Sequence, residues 1–337
     1  AQAKRPVRMI LDNAPLHTKP GAREIQAAQL LAQAGVQVKR MHFQRFAHDK
    51  CVIERDKKGN AIRVLTGSAN FSVRGLYVQS NSVIAINDPQ VAGLYGQAFD
   101  QAWTDMAGFQ KSKIAAQWFN GQGAGIPQFS VSFAPHQTAT VSLGRVAAAI
   151  QNAKSSVLFA VMELVGGGAV MQELTTLQKR TNIFSYGVTQ TTTGVKFYKS
   201  GGANGLLVPF SYLQAHVPQP FSTEWDGGMG QVIHHKFVVI DFNQANPLVY
   251  CGSSNLSAGG EQANGDNLLE IRDPAVATLY AIEAIQLVDH YEFRSLESTA
   301  TQTQPLLLKG PQTTPPWWQP SYDPTNLKNR ERQLFVS

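Results

Sequence analysis

The chain has 337 residues, 43% of them apolar, which is enough to bury a substantial core and form one or two domains. No apolar run reaches about 18 residues, so no stretch reads as a membrane-spanning helix. With 29 Lys and Arg against 23 Asp and Glu the net charge is +6, a balance that suits a polyanionic partner, although the basic residues are scattered along the chain. Only 15% of residues are charged, below the roughly 25% of ordinary soluble domains, and the neutral polar surface this leaves fits an exported protein.

Val7 to Leu11 reads as a strand and Ala22 to Ala34 as a helix, with Ile25, Ala28, Leu31 and Ala32 at helical spacing and Gly35 as its stop. Val36 to Met41 is the next strand. His48-Asp49-Lys50 then heads an apolar strand, Cys51-Val52-Ile53, and the chain turns at Lys57-Lys58-Gly59-Asn60 before Gly67-Ser68-Ala69-Asn70. Ser82 to Ile86 reads as a buried strand, and Asp88 caps a helix that carries Pro89 at its first position and runs to Met106. The small residues from Gly121 to Gly125 mark a boundary.

Beyond it come a helix, Leu143 to Ala153, and a strand, Ser156 to Val161. Gly166-Gly167-Gly168 lacks the Lys-Ser/Thr of a phosphate loop and reads as a turn into a helix ending near Lys179. Strands are expected at 183–188 and 194–198. The irregular stretch from Gly201 to Gly230 leads straight into His234 and is expected to wall a site and select substrate. The tail, 299–337, carries Pro315-Pro316-Trp317-Trp318, whose tryptophans are expected to pack back on the body.

His234 and Lys236 sit two apart at the head of a β-branched run, so alternation points both to one face of a strand and His235 to the other. Asp241 closes that strand, and Gly252-Ser253-Ser254-Asn255 follows. The first half repeats the pattern: the offset is 234 − 48 = 186 at the histidines and 252 − 67 = 185 at the glycines. It holds at 185 through Asp88-Pro89 against Asp273-Pro274 and Leu94-Tyr95 against Leu279-Tyr280. A duplication of this extent implies two lobes, 1–125 and 126–298, followed by the tail. The halves are unequal. The helix at Leu143 begins 234 − 143 = 91 residues before its histidine, whereas 47 residues precede His48, so lobe one is expected to lack an opening βα unit and the chain to start partway through that lobe.

Two HxKxxxxD…GSxxN half-sites at matched spacing, over residues 7–293, resemble the phospholipase D superfamily. The resemblance implies an α/β fold of two pseudo-symmetric lobes, each a mixed sheet flanked by helices, with one composite site. It implies a phosphodiesterase acting through a phosphohistidine, with no metal or cofactor. Imidazole serves as nucleophile and as proton donor, so His48 and His234 are the catalytic pair. Lys50, Lys236, Asn70 and Asn255 would hold the non-bridging oxygens, with Ser68 and Ser253 binding substrate beside them. A nucleophilic histidine needs its second nitrogen oriented by a carboxylate, and Asp266 is the candidate partner of His234, with Glu270 second. The lobe-one counterpart of Asp266 is Ser80 at one offset and Asn81 at the other, neither acidic, which favours His234 as nucleophile. Arg55 stands where the first motif should have its Asp, and a one-residue bulge would bring Glu54 or Asp56 into that place. Nucleic acid is the favoured substrate from the charge, phospholipid the alternative, and a binding-only protein the third reading because lobe one has lost acids. Zinc binding by His42, His48, His234 and His235 is disfavoured, since adjacent His234 and His235 diverge. Cys51 and Cys251 are expected to be free thiols.

Overall fold

The computed structural model describes residues 6–121, 125–162, 167–177, 179–190, 205–209, 232–299, 303, 310 and 312–336. The strand expected at 194–198, Gly166, the centre of the 121–125 boundary and the stretch 201–230 apart from 205–209 lie outside the described residues; 205–209, expected to be irregular, form a strand.

Lobe one runs β1 (Arg8–Leu11), α1 (Arg23–Gln33), β2 (Gln37–Arg40), β3 (Phe46–Ala47), β4 (Val52–Arg55), β5 (Ala61–Gly67), α2 (Val73–Tyr77), β6 (Val83–Ile86) and α3 (Pro89–Asp105). Lobe two runs β7 (Phe119–Gly121), β8 (Gln128–Ala134), α4 (Thr140–Gln151), β9 (Ser156–Val161), α5 (Ala169–Leu177), β10 (Phe184–Thr189), β11 (Gly205–Pro209), β12 (Lys236–Ile240), β13 (Leu248–Gly252), α6 (Ala258–Ala263), β14 (Asn264–Arg272) and α7 (Pro274–Thr299). A tail helix, α8 (Leu327–Gln333), follows. Asp88 starts α3 as expected, its carboxylate accepting from the Gln90 and Val91 amides at 3.0 and 2.9 Å.

Lobe two is a mixed sheet in the order β11-β10-β9-β12-β13-β14-β8-β7, with β3 of lobe one added alongside β14. β9, β10 and β11 are parallel, and β12 joins them antiparallel through Lys236 opposite Val161. Both faces of this sheet are covered, so β9 and β10 are buried throughout, as their unbroken apolar runs require. One core is shared across the lobes: Val64, Val91 and Tyr95 of lobe one pack in the same apolar cluster as Phe133, Phe237, Leu269 and Ala281 of lobe two.

Lobe one repeats β9-α5-β10 as β1-α1-β2, and β12-β13-β14 as β4-β5-β6. Among the described residues it has no counterpart of β8 and α4. The sequence reading took α4 as the first element of lobe two, 126–298, and missed β8, whose Phe129, Val131 and Phe133 alternate with Ser130 and Ser132 while nearly the whole strand is buried. Where β8 and α4 cover β14 and α6, Leu268 is 1% exposed and Leu256 2%; the equivalent Val83 and Phe71 are 49% and 54% exposed. β1 and β4 also lie in separate sheets, and a cavity of about 880 Å³ opens between them, lined by Met9, Cys51, Ile53, Tyr95 and Phe133 among others.

This difference explains the fate of the motif's acid. Asp241, at the left-handed φ of +53°, turns its carboxylate onto the amides of Lys154, Ser155 and Ser156 at 2.8–3.1 Å, fixing the turn between α4 and β9. Lobe one has no α4, so there is no such turn to fix. The expected bulge is present between Glu54 and Arg55, but it delivers neither acid to an equivalent place. Glu54 pairs with Arg63, Asp56 caps the hairpin at Lys58 and Asn60, and Arg55 reaches Asp100 at 2.8 Å.

The tail docks through residues other than its tryptophans. Tyr186 donates to Glu331 at 2.7 Å, Leu334 is buried, and Phe335 lies against Phe242. Trp317 and Trp318 are 56% and 45% exposed, which corrects the expectation that they pack on the body. Cys51 and Cys251 are free thiols.

Candidate active site

Each half-site begins where a chain crosses to the other lobe. β3 pairs with the start of β14, Phe46 opposite Asn264 and Ala47 opposite Gly265, and the His48 amide donates to Gly265 O at 3.0 Å. Symmetrically, Ile233 bridges Ser80, and the His234 amide donates to Ser80 O at 3.0 Å. Each histidine therefore enters the cleft against the last strand of the opposite lobe. Its ring finds its partner there.

His48 Nδ1 donates to Asp266 Oδ1 at 2.6 Å, and His234 Nδ1 donates to Asn81 Oδ1 at 2.8 Å. Asp266 thus supports His48 and not His234, which corrects the sequence expectation. The error came from assuming that a histidine and its acid belong to one repeat, when the strand pairing crosses them over. Glu270, the second candidate, points away from both rings: it takes Arg145 and Arg272 as ion pairs and the Tyr250 hydroxyl at 2.7 Å.

Ser68 and Ser253 complete the symmetry in a different role from the one expected. Ser253 Oγ donates to Asp266 Oδ1 at 2.8 Å and accepts the Asn267 amide at 3.0 Å; Ser68 Oγ donates to Asn81 Oδ1 at 2.8 Å and accepts the Ser82 amide at 3.0 Å. Both hydroxyls are fully buried and spent on holding the group behind the histidine. The preceding glycines are required by the same close approach. A Cβ on Gly252, at φ +147°, would sit 2.4 Å from Asn267 O, and one on Gly67, at φ +148°, 2.2 Å from Ser82 O.

Lys50 and Lys236 are buried, and each ammonium donates to the carbonyl of its own lobe's histidine, Lys236 Nζ at 2.7 Å from His234 O. Burial, opposed by the charges of Asp266, Asp49 and Asp12, brings Lys50 down to about 8. Burial and then Lys50 push Lys236 down as well. The two imidazoles share this field: burial, then Lys50 and Lys236, lower His48, and burial, then Lys236, Lys50 and His48 itself, lower His234 to about 2. Both rings therefore favour the neutral form, each with Nδ1 on its partner. Burial drives Asp266 up to about 7 against the pull of Lys50 and Ser253. Asn70 is exposed, and Asn255 Oδ1 is buried without a hydrogen-bond partner.

Sequence reasoning missed Asp49 and Asn267 in this site. Asn267 Nδ2 donates to Asp49 Oδ1 at 2.7 Å, and Tyr95 donates its hydroxyl to Asn267 Oδ1 at 3.1 Å. Burial raises Asp49 to about 6. No motif pattern flags them, because they form a layer behind the cleft. The histidines proposed for zinc do not converge: His42 contacts Asn13 at 2.6 Å and His235 faces Glu283 at 3.0 Å. Among the described residues no group of three His, Cys, Asp or Glu is arranged to hold a metal ion. Nor is any helix among them long and apolar enough to cross a membrane.

The arrangement is two imidazoles and two ammonium groups at one lobe interface. The family model described as cardiolipin synthase, PLD-like domain, matches residues 1–103 and 146–287, leaving out the β8 region that only lobe two possesses. No curated protein sequence matches the chain. Among solved structures, polyphosphate kinase from Porphyromonas gingivalis superposes with a TM-score of 0.52 at 11% identity, covering 85% of this chain and 42% of that one. Phosphatidylserine synthase from Haemophilus influenzae Rd KW20 superposes at 0.50 and 12% identity, covering 85% and 81%. The chain spans less than half the length of the first and most of the second, and at these identities the likeness is one of fold. With the family model covering well over half of its residues, this chain belongs to the phospholipase D-like family, whose chemistry is of the phosphodiesterase type.

Proposed function

We propose that the site cleaves phosphodiesters through a covalent phosphohistidine on His48. The observation that supports this reading is the unequal backing of the two rings: His48 has a carboxylate behind Nδ1, and His234 has a neutral amide. As His48 becomes cationic during attack, only Asp266 answers the developing charge, so His48 is the nucleophile and His234 the proton carrier. This reverses the assignment favoured by sequence.

In the first step the His48 Nε2 lone pair attacks phosphorus, the P–N bond forms, and the bond to the leaving oxygen breaks with its electron pair going to that oxygen. Protonated His234 Nε2 supplies the proton. In the second step neutral His234 takes a proton from water, the water oxygen attacks phosphorus, and the P–N electron pair returns to His48. The Nδ1 proton of His48 stays on the Asp266 side throughout. Lys50, Lys236, Asn70 and Asn255 hold the non-bridging oxygens, whose charge grows in both transition states.

The net charge of +6 favours nucleic acid as substrate. The description of the family model as cardiolipin synthase supports a second reading, transfer of a phospholipid headgroup. Single-stranded DNA, duplex DNA, RNA and mixed phospholipid vesicles, assayed side by side in EDTA, separate the two. Chelator-resistant release of nucleotides supports the first, and release or alcohol exchange of a lipid headgroup supports the second. No turnover of any of them, with no label on histidine, would leave a binding-only protein.

A further inference from the structure

The groups behind the two histidines differ in chemistry: an amide, Asn81, backs His234, and a carboxylate, Asp266, backs His48. The place of Asn81 in lobe one equals that of Asp266 in lobe two, as the paired contacts of Ser68 and Ser253 establish. The amide is locked in one orientation. Its Nδ2 donates to Gly75 O at 2.9 Å, so Oδ1 receives both the Ser68 hydroxyl and His234 Nδ1–H. His234 is thus held in one tautomer, with Nδ1–H on an amide; the Ser68 backbone also bears on the ring, but neither group carries negative charge. The charged groups that bear on this ring are Lys236, Lys50 and His48, all of them cationic or able to become so. Asp266 is engaged by His48 instead.

We propose that Asn81 is a positioning residue that makes the site selective for esters whose leaving oxygen departs as a weakly basic anion. The reasoning rests on the covalent mechanism above, and it implies that internucleotide bonds and lipid headgroups, which leave as alkoxides, are turned over more slowly than esters that leave as a phosphate or a phenoxide. Forming the phosphohistidine from an ester with a strongly basic leaving group, such as an alkoxide, requires His234 to be protonated before the P–O bond breaks. With a neutral amide behind it and cations beside it, the ring is rarely in that state at neutral pH. When the leaving oxygen belongs to a phosphate or an acidic phenol, the P–O electron pair departs without needing the proton. In the second step the same arrangement helps, because a neutral His234 is ready to take the proton from water. The site therefore has a ready base for hydrolysis and a scarce acid for departure.

The test is a series of methyl aryl phosphodiesters running from 4-nitrophenyl to unsubstituted phenyl, measured as kcat/KM at neutral pH in the intact chain and in Asn81→Asp. A carboxylate at this position supplies the missing charge and makes a charge-assisted bond about twice as strong as the neutral one, so protonated His234 becomes about tenfold more available. The proposal expects a steep dependence on leaving-group acidity in the natural chain and a 4-nitrophenyl to phenyl rate ratio that falls about tenfold in Asn81→Asp. It also expects the phenyl to 4-nitrophenyl rate ratio of the natural chain to rise as pH is lowered from neutral, since both esters share the limb set by Asp266 and only the phenyl ester draws on protonated His234. That second measurement decides the matter even if the variant fails to fold. An equal ratio in both proteins, or the same pH dependence for both esters, overturns the proposal while leaving the covalent mechanism standing. Absence of turnover and of histidine label with every ester overturns both.

Discussion

Replacing Asp266 with Asn removes one charge and almost no volume, and it makes the His48 half-site a copy of the His234 half-site. Asp266 is 1% exposed and accepts from His48 Nδ1 at 2.6 Å and from Ser253 at 2.8 Å, so both donors keep an acceptor in the variant. What disappears is the ionised partner for an imidazole that gains positive charge as it attacks. A hydrogen bond to a charged group is worth about 1.5–3 kcal/mol against about 1 for a neutral one, and in this desolvated site the lost Coulomb attraction adds to the difference. A loss of about 2–3 kcal/mol at the transition state corresponds to a fall of roughly 30- to 150-fold in kcat. The pH profile carries a second signature. Because burial raises Asp266 to about 7, the carboxylate is charged only above that pH, and activity rises as pH increases through it; Asp266→Asn lacks this limb. The linkage to stability has the opposite sign: the folded state holds this proton more tightly than the unfolded chain, so the Asp266 contribution is full below the ordinary carboxylate range and is lost as pH rises through about 7. Turnover of bis(4-nitrophenyl) phosphate, with thermal melting alongside, measures both. A folded Asp266→Asn protein with unchanged kcat and an unchanged acid limb would refute the pairing as the source of His48 reactivity.

Asp241→Asn is expected to cost about 2–3 kcal/mol of stability, since it weakens charge-assisted bonds to three backbone amides at the α4–β9 turn, and to leave activity per folded molecule intact; urea denaturation and active-site titration check the two halves. Leu268→Lys and Val83→Lys occupy equivalent positions with opposite expected outcomes. The first buries a charge under β8 and should prevent folding, whereas the second sits on an open strand edge and should change the melting free energy by less than about 0.5 kcal/mol. Inorganic phosphate should raise the unfolding free energy, read by thermal or urea denaturation, by about 2.7 kcal/mol at a hundred times its Kd through binding the Lys50 and Lys236 ammonium groups, and Lys236→Met should abolish most of that gain.

The duplication and the two half-sites were legible because their residues recur at a fixed offset and their strands alternate with period 2. Asp88 and Pro89 likewise announced α3 through capping chemistry that is local in sequence. The pairing of His48 with Asp266 was not legible in this way. It depends on β3 lying beside β14, a contact between residues more than two hundred positions apart, and periodicity within a repeat carries no information on it. Asn81 was noted as non-acidic, yet its meaning emerges only when Oδ1 is seen on His234. The role of Asp241 was hidden for the same reason: the sequence puts this acid at the far end of its strand, and only the fold shows it capping the α4–β9 turn. Trp317 and Trp318 show a further limit, because large aromatic area favours burial only where the body offers a surface, and here Leu334 and Phe335 take that place.

The central claim is that His48 carries the phosphoryl group and His234 carries the proton. Rapid acid-free denaturation after mixing with a ³²P-labelled phosphodiester, followed by peptide mapping, tests it directly. The account predicts acid-labile, base-stable label on the peptide containing His48 and none in His48→Ala; with a 4-nitrophenyl ester, whose departure needs no proton, the label is enriched in His234→Ala, where the water-activating base is gone. Label on His234, or the same label in His48→Ala, would contradict it.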